Sequence, residues 1–363
     1  MHRRRAILVL SCLLFVPVAA SCGGERNKAA PLSVGEPGSP PALAPPALPA
    51  ATMTAPAAPP PITVTGRIVA FPTLFRAQDI TADTDGHLWF TTNLALLGRV
   101  EPADGSVTFV PLPTAAFAIA PGVDGSLWFS TASGVGRLSS YGLDEEFTLA
   151  ELGSPIDIAS DRDGNVWALG FAQIARVTTD GAVTLFPLPT PLSSSGEHIA
   201  SGPDGNLWYT RSPGFIGRIT QEGVGTEFPV MGTGGLFGIA GGNDGAVWFT
   251  RSGGGAGDNA IDRITATGNA SRVVQLPTSQ TMIPDPPDNM PLAITAGPDG
   301  NMYYTTYFVQ PTTYIGAVTP SGVLTRYEIP ALVASFAIAA GPDGNLWFTD
   351  VFNDRIWRLT PLP

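Results

Sequence analysis

One short stretch recurs along most of this chain and restricts the folds open to it. Each copy is an Asp-Gly turn followed by an aromatic-rich apolar segment, as in "PDGNLWFTD" from Pro342. The sequence holds seven copies, with the turn aspartates Asp85, Asp124, Asp163, Asp204, Asp244, Asp299 and Asp343. Successive aspartates lie 39, 39, 41, 40, 55 and 44 residues apart. Strand-like repeats of about 40 residues are typical of β-propellers, in which each repeat forms a four-stranded blade.

Each repeat has the pattern of four strands joined by turns. In the last repeat, "FAIAAG", "NLWFT" and "RIWRLT" predict the first three strands, and "GVLTRYEIP" shows the fourth in the repeat before it. The last repeat ends without a fourth strand. The segment "VTGRIVAFPTL", from Val64 to Leu74, has that pattern and precedes the first copy. We therefore predict an all-β, seven-bladed propeller over residues 63–363, closed by an N-terminal strand that pairs with the last blade.

The residues before the propeller have the composition of a signal peptide and a tether. "MHRRR" is cationic, and the 15 apolar residues from Ala6 to Ala20 are fewer than the ~20 that a membrane-spanning helix needs. We expect residues 1–21 to be a signal peptide. "VAASC", ending at Cys22, resembles a bacterial lipobox, so we expect lipidation of Cys22; ordinary cleavage that leaves Cys22 free is the alternative. Residues 22–62 are rich in Ala and Pro and predict an extended tether.

The charge of the chain restricts its partners. The formal net charge is −11, and it becomes −14 once Arg3, Arg4 and Arg5 leave with the signal peptide. Such a chain repels phosphate backbones, so we expect no nucleic-acid partner. We expect a monomer, held to the cell envelope by its lipid anchor, that binds a small polar ligand or a protein.

Residues that recur in every repeat are expected to build the blades. We expect the repeated tryptophans to pack between neighbouring sheets and the turn aspartates to bond to their own backbone amides. Calcium at these turns is disfavoured, because each turn supplies one carboxylate and the ion takes 6–8 oxygens. Inter-blade hydrogen bonds are expected from one arginine in each of six repeats: Arg99, Arg137, Arg176, Arg218, Arg263 and Arg358.

Function is expected where the repeats differ. The residue after "WFT" varies most, and the residue just ahead of the first strand's apolar core is charged or polar in three blades. Equivalent positions of a propeller lie on a circle about its axis, so such side chains can converge at one mouth of the channel. The alternative is that they are solvated loop residues. The predicted ligand-binding residues are Asp79, Asp157, Arg211, Arg251 and Asp350, and Glu197 and His198 are weaker catalytic candidates.

The sevenfold "GPDGNLWFT" pattern followed by "IGRI" resembles the virginiamycin B lyase (streptogramin lyase) family of seven-bladed propellers. The resemblance covers residues 63–363. It implies a Mg²⁺-assisted elimination that opens the ester linkage of streptogramin B antibiotics. It also implies a Glu-Pro-His-Gly motif ahead of a first strand and a Trp-Phe-x-Glu motif after an Asp-Gly turn. In such a site carboxylates hold the cation and the histidine abstracts a proton.

This chain departs from the family motif at its central residues. Alignment on "IASGPDGNLWYT" places Glu197 where the motif has histidine and Arg211 where it has the last glutamate. His198 is offset by one residue, which in a strand turns the side chain to the opposite face. His2 leaves with the signal peptide and His87 follows a turn glycine, so neither substitutes for the missing histidine.

We therefore expect a binding or scaffold module without lyase activity, and neither a metal nor another cofactor. Two alternatives stay open. The first is a diverged Mg²⁺-dependent lyase or hydrolase with Glu197 or His198 as base. The second is a sugar-lactonase-like metal enzyme, a class that needs several carboxylates in the channel.

Overall fold

A computed structural model describes residues 62–64, 67–139, 142–192, 197–230, 232, 234–253, 259–276, 290–307, 313–329 and 335–362. The predicted signal peptide, Cys22 and the tether up to residue 61 lie outside the described residues. All described residues belong to one compact unit, Pro56–Pro363. They form 29 strands in seven sheets and no helix, so none of them belongs to a helix able to cross a membrane.

Seven four-stranded antiparallel sheets form the blades. The first two strands, β1 (Ile62–Val64) and β2 (Ile68–Pro72), precede blade one. Blade one consists of β3 (Ala77–Ala82), β4 (Leu88–Thr92), β5 (Leu96–Val100) and β6 (Val107–Pro111). Blade two consists of β7 (Ile119–Pro121), β8 (Leu127–Thr131), β9 (Gly134–Ser139) and β10 (Gly142–Thr148). Blade three consists of β11 (Asp157–Ser160), β12 (Val166–Leu169), β13 (Gln173–Val177) and β14 (Val183–Pro187).

The remaining blades follow the same order. Blade four consists of β15 (Ile199–Ser201), β16 (Leu207–Arg211), β17 (Phe215–Ile219) and β18 (Gly225–Pro229). Blade five consists of β19 (Gly235–Gly241), β20 (Val247–Ser252), β21 (Ala260–Ile264) and β22 (Ala270–Gln275). Blade six consists of β23 (Met290–Ala296), β24 (Met302–Tyr307), β25 (Thr313–Val318) and β26 (Leu324–Ile329). Blade seven consists of β27 (Ile338–Ala340), β28 (Leu346–Asp350), β29 (Arg355–Leu359) and β2. The predicted seven-bladed β-propeller is confirmed.

The ring closes through the N-terminal strand, as the sequence predicts. β2 pairs antiparallel with β29, from Ile68 opposite Leu359 to Pro72 opposite Arg355. The ring of Phe71 in β2 stacks on Trp347 of β28 at 5.3 Å between centroids. The sequence did not predict β1, which pairs in parallel with β26 along the outer edge of blade six. The two strands together cover edges that would otherwise be open.

Two glycine positions explain how each repeat folds locally. The turn glycine of the last copy, Gly344, has a φ of 74°, a conformation that other residues rarely adopt. In the third strand of blade one, a Cβ on Gly98 would lie 1.9 Å from Cζ of Phe90. The absence of a side chain at Gly98 therefore lets the buried aromatic ring of the second strand lie flat on its neighbour.

The repeated tryptophans pack between blades, which confirms that prediction. Trp128 of blade two shares a hydrophobic cluster with Ile158 and Val166 of blade three. Trp347 of blade seven shares another cluster with Ile80 and other blade-one residues. Seven such clusters join the seven pairs of neighbouring blades.

Four of the six repeated arginines donate to the neighbouring blade, as expected: Arg176, Arg218, Arg263 and Arg358. Arg99 instead bonds to His87, and Arg137 to Asp124, within their own blades. Each guanidinium group lies over the tryptophan of its own blade, as Arg176 does over Trp167 at 5.7 Å. Arg176 Nη1 also donates to the Gln221 carbonyl of the next blade at 2.8 Å. Arg358 Nη1 donates to the Pro102 carbonyl at 3.1 Å, which links blade seven to blade one.

Five turn aspartates accept backbone hydrogen bonds, as predicted, and in three of them the tryptophan adds a second donor. In blades one and three the acceptor is instead the aspartate two residues earlier, Asp83 or Asp161. Asp204 Oδ1 accepts from the Asn206 amide at 3.2 Å and from Trp208 Nε1 at 2.9 Å. Partial burial raises the pKa of Asp204, but the bonds from Trp208 and Asn206 outweigh that effect and lower the pKa below its ordinary value. These carboxylates thus stabilise the turns.

Candidate functional site

The first strand of every blade starts on the same rim of the ring. We call it the mouth rim; in blade one it carries the start of β3 at Ala77 and the end of β4 at Thr92, which pair with each other. The opposite rim, which we call the turn rim, carries the Asp-Gly turns. The seven first strands surround the central channel, so residues near their starts lie around its mouth.

Three titratable side chains face one another across this mouth. Asp79 is in blade one, Asp157 in blade three, and His198 immediately precedes the first strand of blade four. Removal from water raises the pKa of Asp79 to about 7, and the negative charge of Asp157 adds to the increase. The positive charge of His198 acts in the opposite direction. Blade one neighbours neither blade three nor blade four, so these charges interact across the channel.

His198 and Asp157 form a hydrogen-bonded pair. His198 Nδ1 lies 3.1 Å from Asp157 Oδ2, and the side chains are 44% and 15% exposed. Partial removal from water lowers the pKa of His198. The hydrogen bond and charge of Asp157, together with the charges of Asp79 and Glu197, outweigh that effect and raise the pKa above its ordinary value. The imidazole is thus oriented by a carboxylate while it stays open to the channel.

The other four blades have small residues at the position just before the isoleucine of the first strand. Where blades one, three and four carry Asp79, Asp157 and His198, the other blades carry Ala118, Gly238, Ala293 and Ala337. The polar groups therefore come from three of the seven blades. Small side chains elsewhere leave room for a ligand that reaches the acids and the imidazole.

Exposed phenylalanines flank the polar groups at the mouth. Phe117 and Phe336 are 45% and 46% exposed and stand one residue before Ala118 and Ala337. Phenylalanines exposed to this degree offer apolar contact area beside the charged groups. The mouth therefore combines hydrogen-bonding and apolar surfaces.

Glu197 is fully buried beside His198. Its Oε1 accepts from the Ser212 amide at 3.4 Å, and its charge contributes to the raised pKa of His198. A catalytic role for Glu197 stays a prediction, but the carboxylate lies inside the protein rather than in the channel.

The two predicted arginines are each held by an acid of their own blade. Arg211 Nε lies 3.0 Å from Glu227 Oε1, and its guanidinium lies 4.3 Å from the centroid of the Phe215 ring. Buried Arg251 donates from Nε and Nη2 to Asp262 Oδ2 at 2.9 and 2.8 Å. Ligand binding by these arginines stays a prediction; their nearest partners are structural.

Asp350 is the third predicted residue that follows a "WFT"-like stretch, and it is fully buried. Its Oδ1 accepts from the Phe352 amide at 3.1 Å, and its Oδ2 accepts from Asn353 Nδ2 at 2.8 Å and from Trp357 Nε1 at 3.2 Å. Asp350 thus supports the loop between β28 and β29, and its role as a ligand-binding group also stays a prediction.

The acids that hold the arginines were not among the predicted site residues. Asp262 stands in "DRI", where blades one, two and four have "GR" with a glycine. A carboxylate at a position where other repeats carry glycine is the signal that could have identified the partner of Arg251.

The residues present do not fit the Mg²⁺ site that the family motif implies. The described residues contain no group of three or more His, Cys, Asp or Glu that could hold a metal. Glu197, at the motif's histidine position, is buried, and Arg211, at its glutamate position, is paired with Glu227. We therefore derive no step through a metal.

Comparison with known proteins shows where this chain belongs. The model of the virginiamycin B lyase family matches residues 61–195 and 173–362. No curated protein sequence matches. A selenomethionine-substituted virginiamycin B lyase from Staphylococcus aureus is 29% identical, with a TM-score of 0.70, over 81% of this chain and 99% of that chain.

Two further solved structures show how similarity in sequence and in fold differ. A catalytically inactive histidine-to-alanine variant of the Staphylococcus aureus lyase, with quinupristin, is 28% identical, with a TM-score of 0.68. That match covers 81% of this chain and 99% of that chain. The WD40 propeller domain of Doa1 is 12% identical, with a TM-score of 0.60 over 79% of this chain and 93% of that chain, and shares the fold alone. Because the family model spans the whole propeller, this chain belongs to the virginiamycin B lyase family.

Proposed function

We propose that this protein is a ligand-binding propeller that has lost the lyase reaction of its family. It is exported, anchored to the cell envelope through Cys22, and holds a small polar ligand at the mouth formed by Asp79, Asp157 and His198. The observation that carries the proposal is the hydrogen bond by which Asp157 orients His198 at this mouth, and Asp79 lies close enough to interact electrostatically with both.

The arrangement supports recognition of hydrogen-bonding groups. Asp157 engages Nδ1 of His198, so Nε2 is the ring nitrogen left for a ligand. Nε2 accepts a hydrogen bond when the imidazole is neutral and donates one when it is charged. The pKa of Asp79, near 7, lets its carboxyl act as donor or acceptor around neutral pH. Phe117 and Phe336 would contact the apolar part of the same ligand.

The loss of the lyase reaction rests on the groups that the motif requires. The histidine-to-alanine variant of the Staphylococcus aureus lyase is catalytically inactive, so that enzyme depends on a histidine. In this chain Glu197 stands at the motif's histidine position and Arg211 at its glutamate position. The histidine and the cation-binding carboxylate that the motif requires are thus both replaced at the matching places.

A second candidate function is acid–base catalysis by His198, in a diverged lyase or hydrolase. The observation that favours it is the same His198–Asp157 bond, because an imidazole oriented by a carboxylate is an arrangement typical of a general base. Asp79, with its pKa near 7, would supply an acid on the opposite side of the channel.

Quinupristin separates the two functions. The purified mature chain is incubated with quinupristin and Mg²⁺, and ring opening is followed by mass spectrometry. We expect no opening. Ring opening that is lost in His198→Ala would replace the binding proposal with the enzymatic one.

Binding is tested by recording backbone amide spectra of the mature chain with a set of small polar compounds. A ligand of the mouth should shift the amides of Ile80, Ile119, Ile158 and Ile199, which bond to Asp79 or Asp157. The shifts should vanish in His198→Ala and persist in Glu222→Gln, a control on the turn rim. Compounds that shift only other amides would contradict the proposed mouth.

Anchoring is tested with Cys22→Ser, which should release the protein from the membrane fraction.

A further inference from the structure

Two pairs of neighbouring blades share one hydrogen-bonding device at the mouth, in which an aspartate accepts from one backbone amide of each blade. In one of these pairs a histidine also contacts the aspartate. We propose that Asp157 is a positioning residue that fixes His198 with its proton on Nδ1, so that Nε2 is presented to the ligand. We also propose that Asp79 and Ala118 form the same device without the histidine. The inference rests on the proposed binding site and names the ring nitrogen that the site uses.

The two aspartates make matching hydrogen bonds. Asp157 Oδ1 accepts from the following amide, of Ile158, at 2.9 Å, and Oδ2 accepts from the Ile199 amide of the next blade at 3.0 Å. Asp79 Oδ1 accepts from the following amide, of Ile80, at 2.8 Å, and Oδ2 accepts from the Ile119 amide of the next blade at 2.8 Å. Each aspartate thus ties the first strands of two neighbouring blades together.

The residue that precedes Ile199 in one pair and Ile119 in the other differs between the pairs, although its backbone amide makes the same kind of hydrogen bond. The His198 amide donates to the Thr210 hydroxyl at 2.9 Å, and the Ala118 amide donates to the Ser130 hydroxyl at 2.9 Å. In blades three and four the carboxylate therefore meets an imidazole, while in blades one and two it meets a methyl group. The difference between the pairs lies in one side chain.

The chemistry of the carboxylate decides the tautomer. An ionised carboxylate accepts hydrogen bonds and donates none, so the nitrogen that faces Asp157 has to carry the proton. Two backbone amides already hold this carboxylate in place. Neutral His198 is then left with an unprotonated Nε2 directed away from Asp157, and the second nitrogen becomes the acceptor for a ligand. The other acids that act on the imidazole are Asp79 and Glu197.

Nitrogen-15 NMR of the imidazole rings in the mature chain without ligand tests the inference. We expect neutral His198 in the Nδ1–H tautomer, against the preference of a free side chain for Nε2–H. Asp157→Ala, which leaves no acceptor for Nδ1–H, should remove that preference and lower the pKa of His198. Asp79→Ala, the matched control, should keep the tautomer. An unchanged tautomer in Asp157→Ala would overturn the inference.

A gain of function provides a test that keeps Asp157 in place. Ala118→His should create a second histidine in the Nδ1–H tautomer, and Asp79→Ala in that background should abolish the preference. An Ala118→His side chain that favours Nε2–H would contradict the shared device, even if Asp157→Ala fails to fold. Because no ligand is used, this result is separate from the binding experiment: either can fail while the other succeeds.

Discussion

The three charged side chains that follow a "WFT"-like stretch each have a partner in their own blade. Arg211 meets Glu227 of the fourth strand, and Arg251 meets Asp262 of the third. Asp350 instead accepts from the indole of Trp357. The charge of each arginine at this position is therefore compensated within its blade. A sequence pattern shows the variable residue, but not the strand on which its partner stands.

Blade five offers a direct test of this compensation. Asp262→Gly leaves the buried charge of Arg251 without its acid and should destabilise the domain by about 3–5 kcal/mol. The double variant also carries Arg251→Thr. Blade five then has a threonine and a glycine at these two positions, as blade one has in Thr92 and Gly98 and blade two has in Thr131 and Gly136. The double variant should recover most of the loss in urea unfolding. Equal instability of the single and double variants would refute the compensation.

The acids and the histidine at the mouth predict an acidic optimum of stability. The pKa of folded Asp79, near 7, exceeds its ordinary value of 3.8, so the folded state binds more protons and stability falls as the pH rises between these values. His198 has a raised pKa and adds stability below pH 6.5 that is lost as the pH rises further. Turn aspartates such as Asp204, with a lowered pKa, lose their contribution in stronger acid.

We therefore expect the melting temperature to be highest at about pH 4 and to fall from there towards pH 8. Asp79→Asn removes one titrating group and should flatten the slope between pH 4 and 7, which for one proton is at most about 1.4 kcal/mol per pH unit. Scanning calorimetry across this range measures both. An Asp79→Asn slope equal to that of the unchanged protein would show that Asp79 does not titrate there.

At the scale of the strand, the threonine of "WFT" joins three blades to the next. Thr91 donates to the Phe117 carbonyl at 2.8 Å, Thr250 to the Leu292 carbonyl at 2.6 Å, and Thr349 to the Gln78 carbonyl at 3.1 Å. Each bond runs from the second strand of one blade to the first strand of the following blade or to the residues just ahead of it. A residue that looks like an ordinary strand former is thus an inter-blade contact.

Thr250→Val tests this contact with little change of shape. The part-buried Leu292 carbonyl loses its donor, so we expect a loss of about 1–3 kcal/mol in the free energy of unfolding. Thr108→Val, on an exposed position of β6, should change stability by no more than about 0.5 kcal/mol. Urea unfolding of both variants gives the comparison, and equal effects would argue against the inter-blade bond.

The strands also show which parts of the fold could be predicted from the sequence. The Asp-Gly turns and apolar alternation repeat seven times, so the blades and the closing strand β2 could be predicted. β1 could not, because a three-residue parallel pair has no turn or periodicity of its own. At the mouth, the positions of Asp79, Asp157 and His198 stood out in the sequence, but the distances between their side chains depend on the diameter of the ring. Their role in ligand binding stays a prediction.

At the scale of the whole molecule, closure by β2 is expected to decide whether the ring stays intact. A chain that starts at residue 67 lacks β1 alone and should fold with a modestly lower melting temperature. A chain that starts at residue 74 also loses β2, the Phe71–Trp347 stacking and the fourth strand of blade seven. It should melt far lower and associate, as measured by calorimetry and light scattering. A monomeric, stable chain starting at residue 74 would show that β2 is dispensable.

The inter-blade bonds of the repeated threonines and arginines run in one direction around the ring, which has a consequence for assembly. Thr91 of blade one donates to blade two, Arg176 of blade three to blade four, and Thr349 of blade seven to blade one. The two faces of a blade are therefore different and complementary, as in a head-to-tail interface between subunits. A ring opened between blades seven and one would present one face of each kind, and two opened molecules could join end to end. An intact closure keeps the last blade bound to the first blade of its own chain and so prevents polymerisation.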